Sequence, residues 1–202
     1  MKIYFDGCSW TRGAELENSE EERYSKLLCN ELGAEETNLA IDGGSNDRIV
    51  RNLLVENNIE DYDMAVIQMT FPVRTEFYNN KWKRDRWIRI NPKYNYNKWL
   101  QGENGNIEKL GEKFEDHSDF WKYYYLQVTN EKYFETKEKI HYHTIRNSCK
   151  IPLVLLTINR WTKLPFDLQL DDRTRVMRHR MGHPNILGHE IIASDILSIW
   201  KK

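Results

Sequence analysis

A chain of 202 residues that is 40% hydrophobic and 12% aromatic is long enough to bury one substantial core. Its 30 basic and 31 acidic residues nearly cancel, so no global charge draws the chain toward nucleic acid or an anionic membrane. The three cysteines have no CxxC spacing, and no signal-peptide pattern or membrane-spanning apolar run is present. We therefore expect one globular domain over residues 1–202, in the cytoplasm and away from membranes.

The first part of the chain alternates short apolar strands with amphipathic helices. The pattern predicts a strand over Lys2–Phe5, a helix over Glu20–Leu32 that ends at Gly33, and a second strand over Glu36–Ala40. Ser45 is a suitable N-cap for the helix that follows this second strand.

The later part of the chain continues the same alternation. Two apolar runs predict buried strands over Met64–Met69 and Ile151–Thr157, and residues 114–147 between them are mostly helical in character. Apolar residues at helical spacing predict a last helix from Ile186 onward. Strands separated by helices indicate an α/β fold, in which a parallel sheet is covered by helices on both faces.

Four segments with chemically useful residues follow or precede these predicted elements. Ser9 lies just after the first strand, Gly43 after the second, Thr70 to Arg74 after the third, and His183 just before the last helix. Because sites in such sheets form beyond the carboxyl ends of the strands, we expect these segments to meet at one edge.

Three short blocks then carry a resemblance to a known family. They are "GCSWT" at residues 7–11, "NLAIDGGSND" at 38–47 and "GHPNILGHEIIA" at 182–193. In their order and spacing they resemble the SGNH (GDSL-like) hydrolases. The resemblance implies a three-layer α/β/α sandwich with a flavodoxin-like sheet and no metal or cofactor. It also implies that Ser9 is the nucleophile, that Ser9 and Gly43 supply oxyanion-hole amides, and that His183 is the general base.

The sequence departs from the pattern of that family in two of its blocks near the first and third strands. Cys8 stands where the family has an aspartate before its serine. The stretch "QMTFPVRTE" lacks the asparagine that the family places after the third strand. Gln68, Thr70 or Arg74 could replace this oxyanion donor, and Arg74 is favoured because a guanidinium can hold an anion with fixed geometry.

The histidine block also departs from the family. Arg180 and Met181 occupy the positions where an aspartate usually precedes the histidine. Asp171, Asp172 or a backbone carbonyl could orient His183 instead.

A basic and aromatic insertion at about residues 79–106 follows the third strand. Tryptophans and tyrosines alternate there with lysines and arginines, which suits stacking on a sugar beside anionic groups, or on single-stranded nucleic acid. The near-neutral charge of the whole chain argues against nucleic acid. A hairpin whose tryptophans pack on the protein body remains an equal alternative. The residues predicted to bind substrate are Trp10, Arg74, Trp82, Trp87 and Arg89.

Several of these residues have simpler structural explanations. Ser9 would serve as a turn or N-cap residue, and Gly43 as a turn residue with positive φ. Pro184 interrupts the helix that a metal-binding pair with His183 would need, so a metal site is not favoured. His189 is expected to be packed or at the surface, and His141 and His143 to be solvated.

The sequence therefore predicts a serine esterase or deacylase that works through an acyl-enzyme. Its expected substrate is a small-molecule or saccharide ester, with O-acetyl on a saccharide as the first candidate. The alternative is an inactive module on the same fold that binds glycan or nucleic acid.

Overall fold

The computed structural model describes residues 1–79, 86–90, 124–125, 129–170, 174, 177 and 182–201. The strands in these ranges are β1 (Lys2–Asp6), β2 (Glu35–Asn38), β3 (Met64–Met69), β4 (Thr75–Asn79), β5 (Arg86–Ile90), β6 (Leu153–Thr157) and β7 (Leu168–Gln169). The α-helices are α1 (Ser9–Arg12), α2 (Ser19–Glu22), α3 (Tyr24–Leu32), α4 (Asn46–Arg51), α5 (Glu131–Ser148) and α6 (Ile186–Trp200). A π-helical turn (Asn52–Glu56) and a 3₁₀ turn (Ile59–Asp61) connect α4 to β3.

The central sheet has the strand order β2-β1-β3-β6-β7, and each neighbouring pair is parallel. Counted along the chain, these five strands are arranged 2-1-3-4-5, which is the flavodoxin-like order. The predicted parallel α/β architecture is thus confirmed. All five carboxyl ends lie at the same edge of the sheet, so residues that follow different strands come together there.

Alternate side chains of the central strands face two separate cores. Ile3 and Phe5 of β1 pack with α3 and α6, whereas Tyr4 packs with α4 and α5. Strands β3 and β6 alternate in the same way, because successive side chains in a strand point to opposite faces. The sheet is therefore covered by helices on both sides and forms the middle layer of three.

The helix predicted over Glu20–Leu32 is divided in two at Arg23. Arg23 has extended backbone angles, and its guanidinium makes two hydrogen bonds of 2.9 Å to the Glu36 carboxylate on β2. The amide of Tyr24, the first residue of α3, donates to His189 Nδ1 at 3.1 Å. His189 is fully buried and therefore has a packing role, which was one of its two predicted environments.

His141 is not solvated, and that prediction was wrong. Its Nε2 lies 3.1 Å from Asp47 Oδ1, and the side chain is buried between α5 and α4. Lys137 Nζ lies 2.7 Å from the other Asp47 oxygen. Burial alone would raise the pKa of Asp47, but its hydrogen bond with His141 and the charge of Lys137 lower this pKa to about 2. The exposed His143 agrees with its predicted environment.

The predicted insertion is described only in part. Strands β4 and β5 form an antiparallel hairpin in which Thr75 pairs with Ile90, so residues 86–90 of the insertion belong to a β-hairpin. Trp82 and most of the remaining insertion lie outside the described residues. Among the described helices, none combines the length and the apolar character needed to cross a membrane.

Candidate active site

Ser9 and His183 meet at the carboxyl edge of the sheet. Ser9 is the first residue of α1, three positions after the end of β1, and His183 lies in the loop before α6. Ser9 Oγ and His183 Nε2 are 2.9 Å apart. This is within the reach required for an imidazole to take a proton from a serine hydroxyl.

The other nitrogen of the same imidazole contacts a carboxylate. His183 Nδ1 lies 2.6 Å from Glu15 Oε2, and both side chains are largely buried. An ionised carboxylate only accepts hydrogen bonds, so Nδ1 carries the proton and Nε2 is left to accept from Ser9. Ser9, His183 and Glu15 therefore form a continuous hydrogen-bonded chain.

Glu15 is held in an unusual backbone conformation. Its φ is 72°, in the left-handed region, and Gly13 two residues earlier has a φ of 81°. A non-glycine residue there costs about 1–3 kcal/mol and persists only when its surroundings hold it in place. The chain turns back sharply after α1, which brings the Glu15 side chain to the imidazole.

Gln68 at the end of β3 fixes the turn that contains Ser9. Its side-chain oxygen accepts hydrogen bonds from the Cys8 amide at 3.1 Å and from Thr11 Oγ1 at 3.0 Å. The Cys8 thiol also lies 3.3 Å from this oxygen, and Gln68 Nε2 donates to the Met69 carbonyl at 2.8 Å. All these side chains are fully buried, so both sides of the turn that contains Ser9 are attached to β3.

The buried carboxylate of Asp6 connects the end of β1 to α4. Asp6 Oδ1 accepts from the Gly7 amide and from Arg48 Nη1, each at 2.7 Å, and Asp6 Oδ2 accepts from Asn52 Nδ2 at 2.8 Å. Burial raises the pKa of Asp6, while Arg48 acts in the opposite direction. These contacts fix the helix that begins just after the Gly43–Gly44 turn.

The Gly43–Gly44 turn lies against the segment that carries Ser9. Gly43 has a φ of 67°, as expected for a glycine turn. A Cβ on Gly44 would lie only 2.6 Å from the Gly7 carbonyl oxygen, so a side chain at 44 would force the two segments apart. Arg12 also forms an ion pair with Asp42 across the same junction. The structure thus places Gly43 next to the segment that carries Ser9.

Thr70 and Arg74 lie together on the other side of the Gly43–Gly44 turn. Arg74 Nη1 donates to Thr70 Oγ1 at 2.6 Å and to the Gly44 carbonyl at 3.5 Å, and the residue is buried. Asn46 holds Thr70 by two backbone contacts, accepting from its amide at 2.8 Å and donating to its carbonyl at 2.9 Å. A buried guanidinium therefore lies next to the Gly43–Gly44 turn.

The other predicted site residues lie in the core, on β5 or outside the described residues. Trp10 belongs to the hydrophobic core with only 8% of its surface exposed, so we assign it a packing role in place of substrate binding. Trp87 and Arg89 lie on β5. Asp171 and Asp172, the predicted orienting carboxylates, lie outside the described residues, as does Trp82.

Sequence reasoning missed Glu15 and Asn46. Asn46 belongs to the quoted block "NLAIDGGSND", so its place in the site could have been anticipated. Glu15 stands in a segment without hydrophobic periodicity, and its proximity to His183 depends on two left-handed residues. No local pattern would have distinguished it from its acidic neighbours.

Comparison with known proteins finds similarity in structure only. No family model matches the chain, and no curated protein matches it in sequence. The psychrotrophic esterase EstA from Pseudoalteromonas sp. superposes with a TM-score of 0.51 at 11% identity, over 99% of this chain and 96% of that one. A two-domain esterase active on acetylated mannans has the same TM-score at 15% identity, over 100% of this chain and 49% of that one. At these identities the likeness shows a shared fold, which is the fold that the resemblance to SGNH hydrolases implies.

Proposed function

We propose that the protein is a serine hydrolase of the SGNH type that cleaves an ester bond. The observation that carries this proposal is the chain from Ser9 Oγ through His183 to Glu15, with contacts of 2.9 and 2.6 Å. A nucleophile, a base within hydrogen-bond reach and a third group that orients the base are the parts that acyl transfer requires. The fold shared with two esterases supports the same reaction class.

In the proposed reaction, Ser9 Oγ attacks the ester carbonyl while His183 Nε2 takes the hydroxyl proton. The tetrahedral intermediate collapses as His183 returns this proton to the leaving alcohol, which yields an acyl-enzyme. Water then attacks the acyl-enzyme with His183 again as base, and the acid and free Ser9 are released. The negative charge of Glu15 stabilises the imidazolium that forms in each half of the reaction.

The oxyanion requires donors that are already in place before the reaction. We assign this role to the backbone amides of Ser9 and Gly43, with Arg74 in place of the asparagine that the family uses. Arg74 is suited to it because its contacts with Thr70 and Gly44 hold a charged donor next to the glycine turn. A fixed charge there needs no reorganisation as the oxyanion develops.

An acylated small molecule or saccharide is the proposed substrate class. One of the structurally similar esterases acts on acetylated mannans. The basic and aromatic residues of the insertion, including Trp82, Trp87 and Arg89, suit a polar ring that bears an ester. We include these residues in the proposed substrate-binding region.

Fluorophosphonate labelling followed by peptide mass spectrometry tests the mechanism. The expected result is a label on Ser9 that is absent in Ser9→Ala and strongly reduced in His183→Ala. His143→Ala is the matched control, because it removes an exposed histidine from α5. Hydrolysis of an aryl acetate should likewise be lost in Ser9→Ala, be strongly reduced in His183→Ala and be unchanged in His143→Ala.

The same experiment distinguishes the alternative binding module. A folded wild-type protein that takes no label and leaves aryl esters intact would contradict the esterase proposal. Salt-dependent binding of single-stranded nucleic acid, or binding of a glycan without turnover, would then favour the module.

A further inference from the structure

A cavity of about 370 Å³ opens at the carboxyl edge of the sheet, between the ends of β3 and β6 and the face of α5. It is separate from the hydrogen-bonded chain described above, since Ser9, His183 and Glu15 are not among its lining residues. The residues that line it are Pro72, Val73, Tyr125, Thr129, Asn130, Glu131, Phe134, Glu135, Glu138, Asn159 and Trp161.

Three aromatic rings form much of the cavity wall. Tyr125 and Phe134 stack with their centroids 6.2 Å apart, and the Tyr125 hydroxyl donates to the Val73 carbonyl at 2.8 Å. Trp161 is 64% exposed, and the Arg160 guanidinium lies 4.7 Å from its ring centroid. Two of the rings are therefore fixed by packing, whereas the third presents a large open surface.

The charged residues among the described lining residues are all glutamates. Glu131, Glu135 and Glu138 are spaced by four and three residues, so they lie on one face of α5. Lys132 Nζ lies 3.8 Å from Glu135 Oε2, but no lysine or arginine is among the described residues that line the cavity. Glu138 is 5% exposed and accepts a hydrogen bond from Asn159 Nδ2 at 2.8 Å. No lysine or arginine among the described residues pairs with Glu138. Burial raises the pKa of its carboxyl, while the hydrogen bonds from Asn159 and Thr162 and the nearby His141 act in the opposite direction.

A buried carboxyl without a lysine or arginine beside it is accommodated by hydrogen bonds, by protonation or by a cation that approaches it. Aromatic faces beside carboxylates are the surroundings that stabilise alkylated ammonium groups, which combine a positive charge with an apolar surface. A cation would stabilise the ionised form of Glu138, which a neutral or anionic ligand would not. The cavity wall thus matches an organic cation in both charge and polarity.

We propose that this cavity binds an alkylammonium group carried by the ester substrate. The link to an ester rests on the proposed function, whereas the binding of the cation does not. Neighbouring strands are about 5 Å apart, so the ends of β3 and β6 lie roughly 5 and 10 Å from the end of β1, which leads to Ser9. An ester that reacts at Ser9 can therefore extend its ammonium group, on a saccharide or on a simple alcohol, into the cavity.

Binding is tested first in the Ser9→Ala variant, in which no turnover interferes. Choline and its neutral carbon isostere, 3,3-dimethylbutan-1-ol, are titrated by calorimetry. We expect choline to bind about tenfold more tightly than the isostere, and Glu138→Gln to reduce this preference to near unity. Glu190→Gln is the matched control, because it removes an exposed carboxylate from α6. Equal affinity for the two probes, or no choline binding by the folded protein, would overturn the proposal.

A second variant covers the case in which Glu138→Gln does not fold. Trp161→Ala alters an exposed ring and should weaken choline binding by about threefold or more without loss of stability. Unchanged choline affinity in this variant counts against the cavity as the binding site.

Hydrolysis of acetylcholine and of 3,3-dimethylbutyl acetate by the wild type separates this inference from the proposed function. A higher kcat/KM for acetylcholine that disappears in the Glu138 variant supports both. Equal hydrolysis of the two esters overturns the placement of the substrate's ammonium group in the cavity and leaves the esterase proposal intact. If choline binds but neither ester nor fluorophosphonate reacts, the esterase proposal fails and the cation site stands.

Discussion

Replacing Glu15 with glutamine removes one charge from the proposed active site and almost nothing else. The substituted side chain has the same length and branching, and it must adopt the same left-handed backbone as Glu15. Its amide can donate to His183 Nδ1, which would favour the tautomer that has its proton on Nε2. That tautomer cannot accept the proton of Ser9.

The size of the effect follows from the geometry of the pair. Glu15 Oε2 and His183 Nδ1 are 2.6 Å apart, which places the centres of the two charges about 4 Å apart once the imidazolium has formed. At an effective dielectric constant of about 20 this attraction is worth about 4 kcal/mol. The side chains are 20% and 22% exposed, so solvent screens part of it. We therefore expect kcat to fall by about a hundredfold to a thousandfold.

The assay is steady-state hydrolysis of an aryl acetate, measured for the wild type, Glu15→Gln and Glu17→Gln. Glu17 is an exposed carboxylate two residues away and should be dispensable. Urea unfolding shows whether each variant retains its fold. A Glu15→Gln variant that is folded and keeps kcat within about threefold of wild type, while Ser9→Ala is inactive, would refute the assigned role of Glu15.

Three further predictions concern the residues around the site. Gln68→Leu leaves the Cys8 amide and the Thr11 hydroxyl without their buried acceptor. The free energy of unfolding, measured in urea, should therefore fall by about 2–4 kcal/mol. Cys8→Asp places a carboxylate against the Gln68 oxygen and should lower stability by more than Cys8→Ser in the same assay. The pKa of Asp47 is lowered to about 2 in the folded state, so Asp47 contributes stability above pH 4 that is lost as the pH falls toward 2. Between pH 4 and pH 2, the free energy of unfolding of the wild type should fall by about 2 kcal/mol more than that of Asp47→Asn.

Local patterns predicted most of the sheet and several helix ends. Apolar runs located β1, β3 and β6 to within two residues, because a strand buried on both faces needs an uninterrupted apolar sequence. Gly33 ends α3 in the left-handed conformation, and the Ser45 side chain caps α4, as their residue types predicted. Ser9 and His183 were selected by their place at the edge of the sheet together with a family resemblance.

Contacts between distant segments explain what the sequence did not reveal. The break at Arg23 depends on the carboxylate of Glu36, which lies on a neighbouring strand. His141 is buried because α4 places Asp47 against α5, whereas helical spacing alone allowed either face to be solvated. In both cases a polar side chain is satisfied by a partner that no local window contains.

Because Glu15 lies on the same segment as Ser9, the loop that carries His183 has fewer side chains to position. Ser9, the proposed nucleophile, and Glu15, the proposed orienting carboxylate, lie six residues apart on one segment, which Gln68 attaches to β3. The loop before α6 then needs to deliver only the imidazole of His183, whose two nitrogens meet partners that are already in place. In the proposed mechanism Glu15 therefore takes the role of the aspartate that SGNH hydrolases have three residues before their histidine, where this chain has Arg180. The absence of an aspartate at position 180 is therefore compatible with the proposed catalytic role of Ser9 and His183.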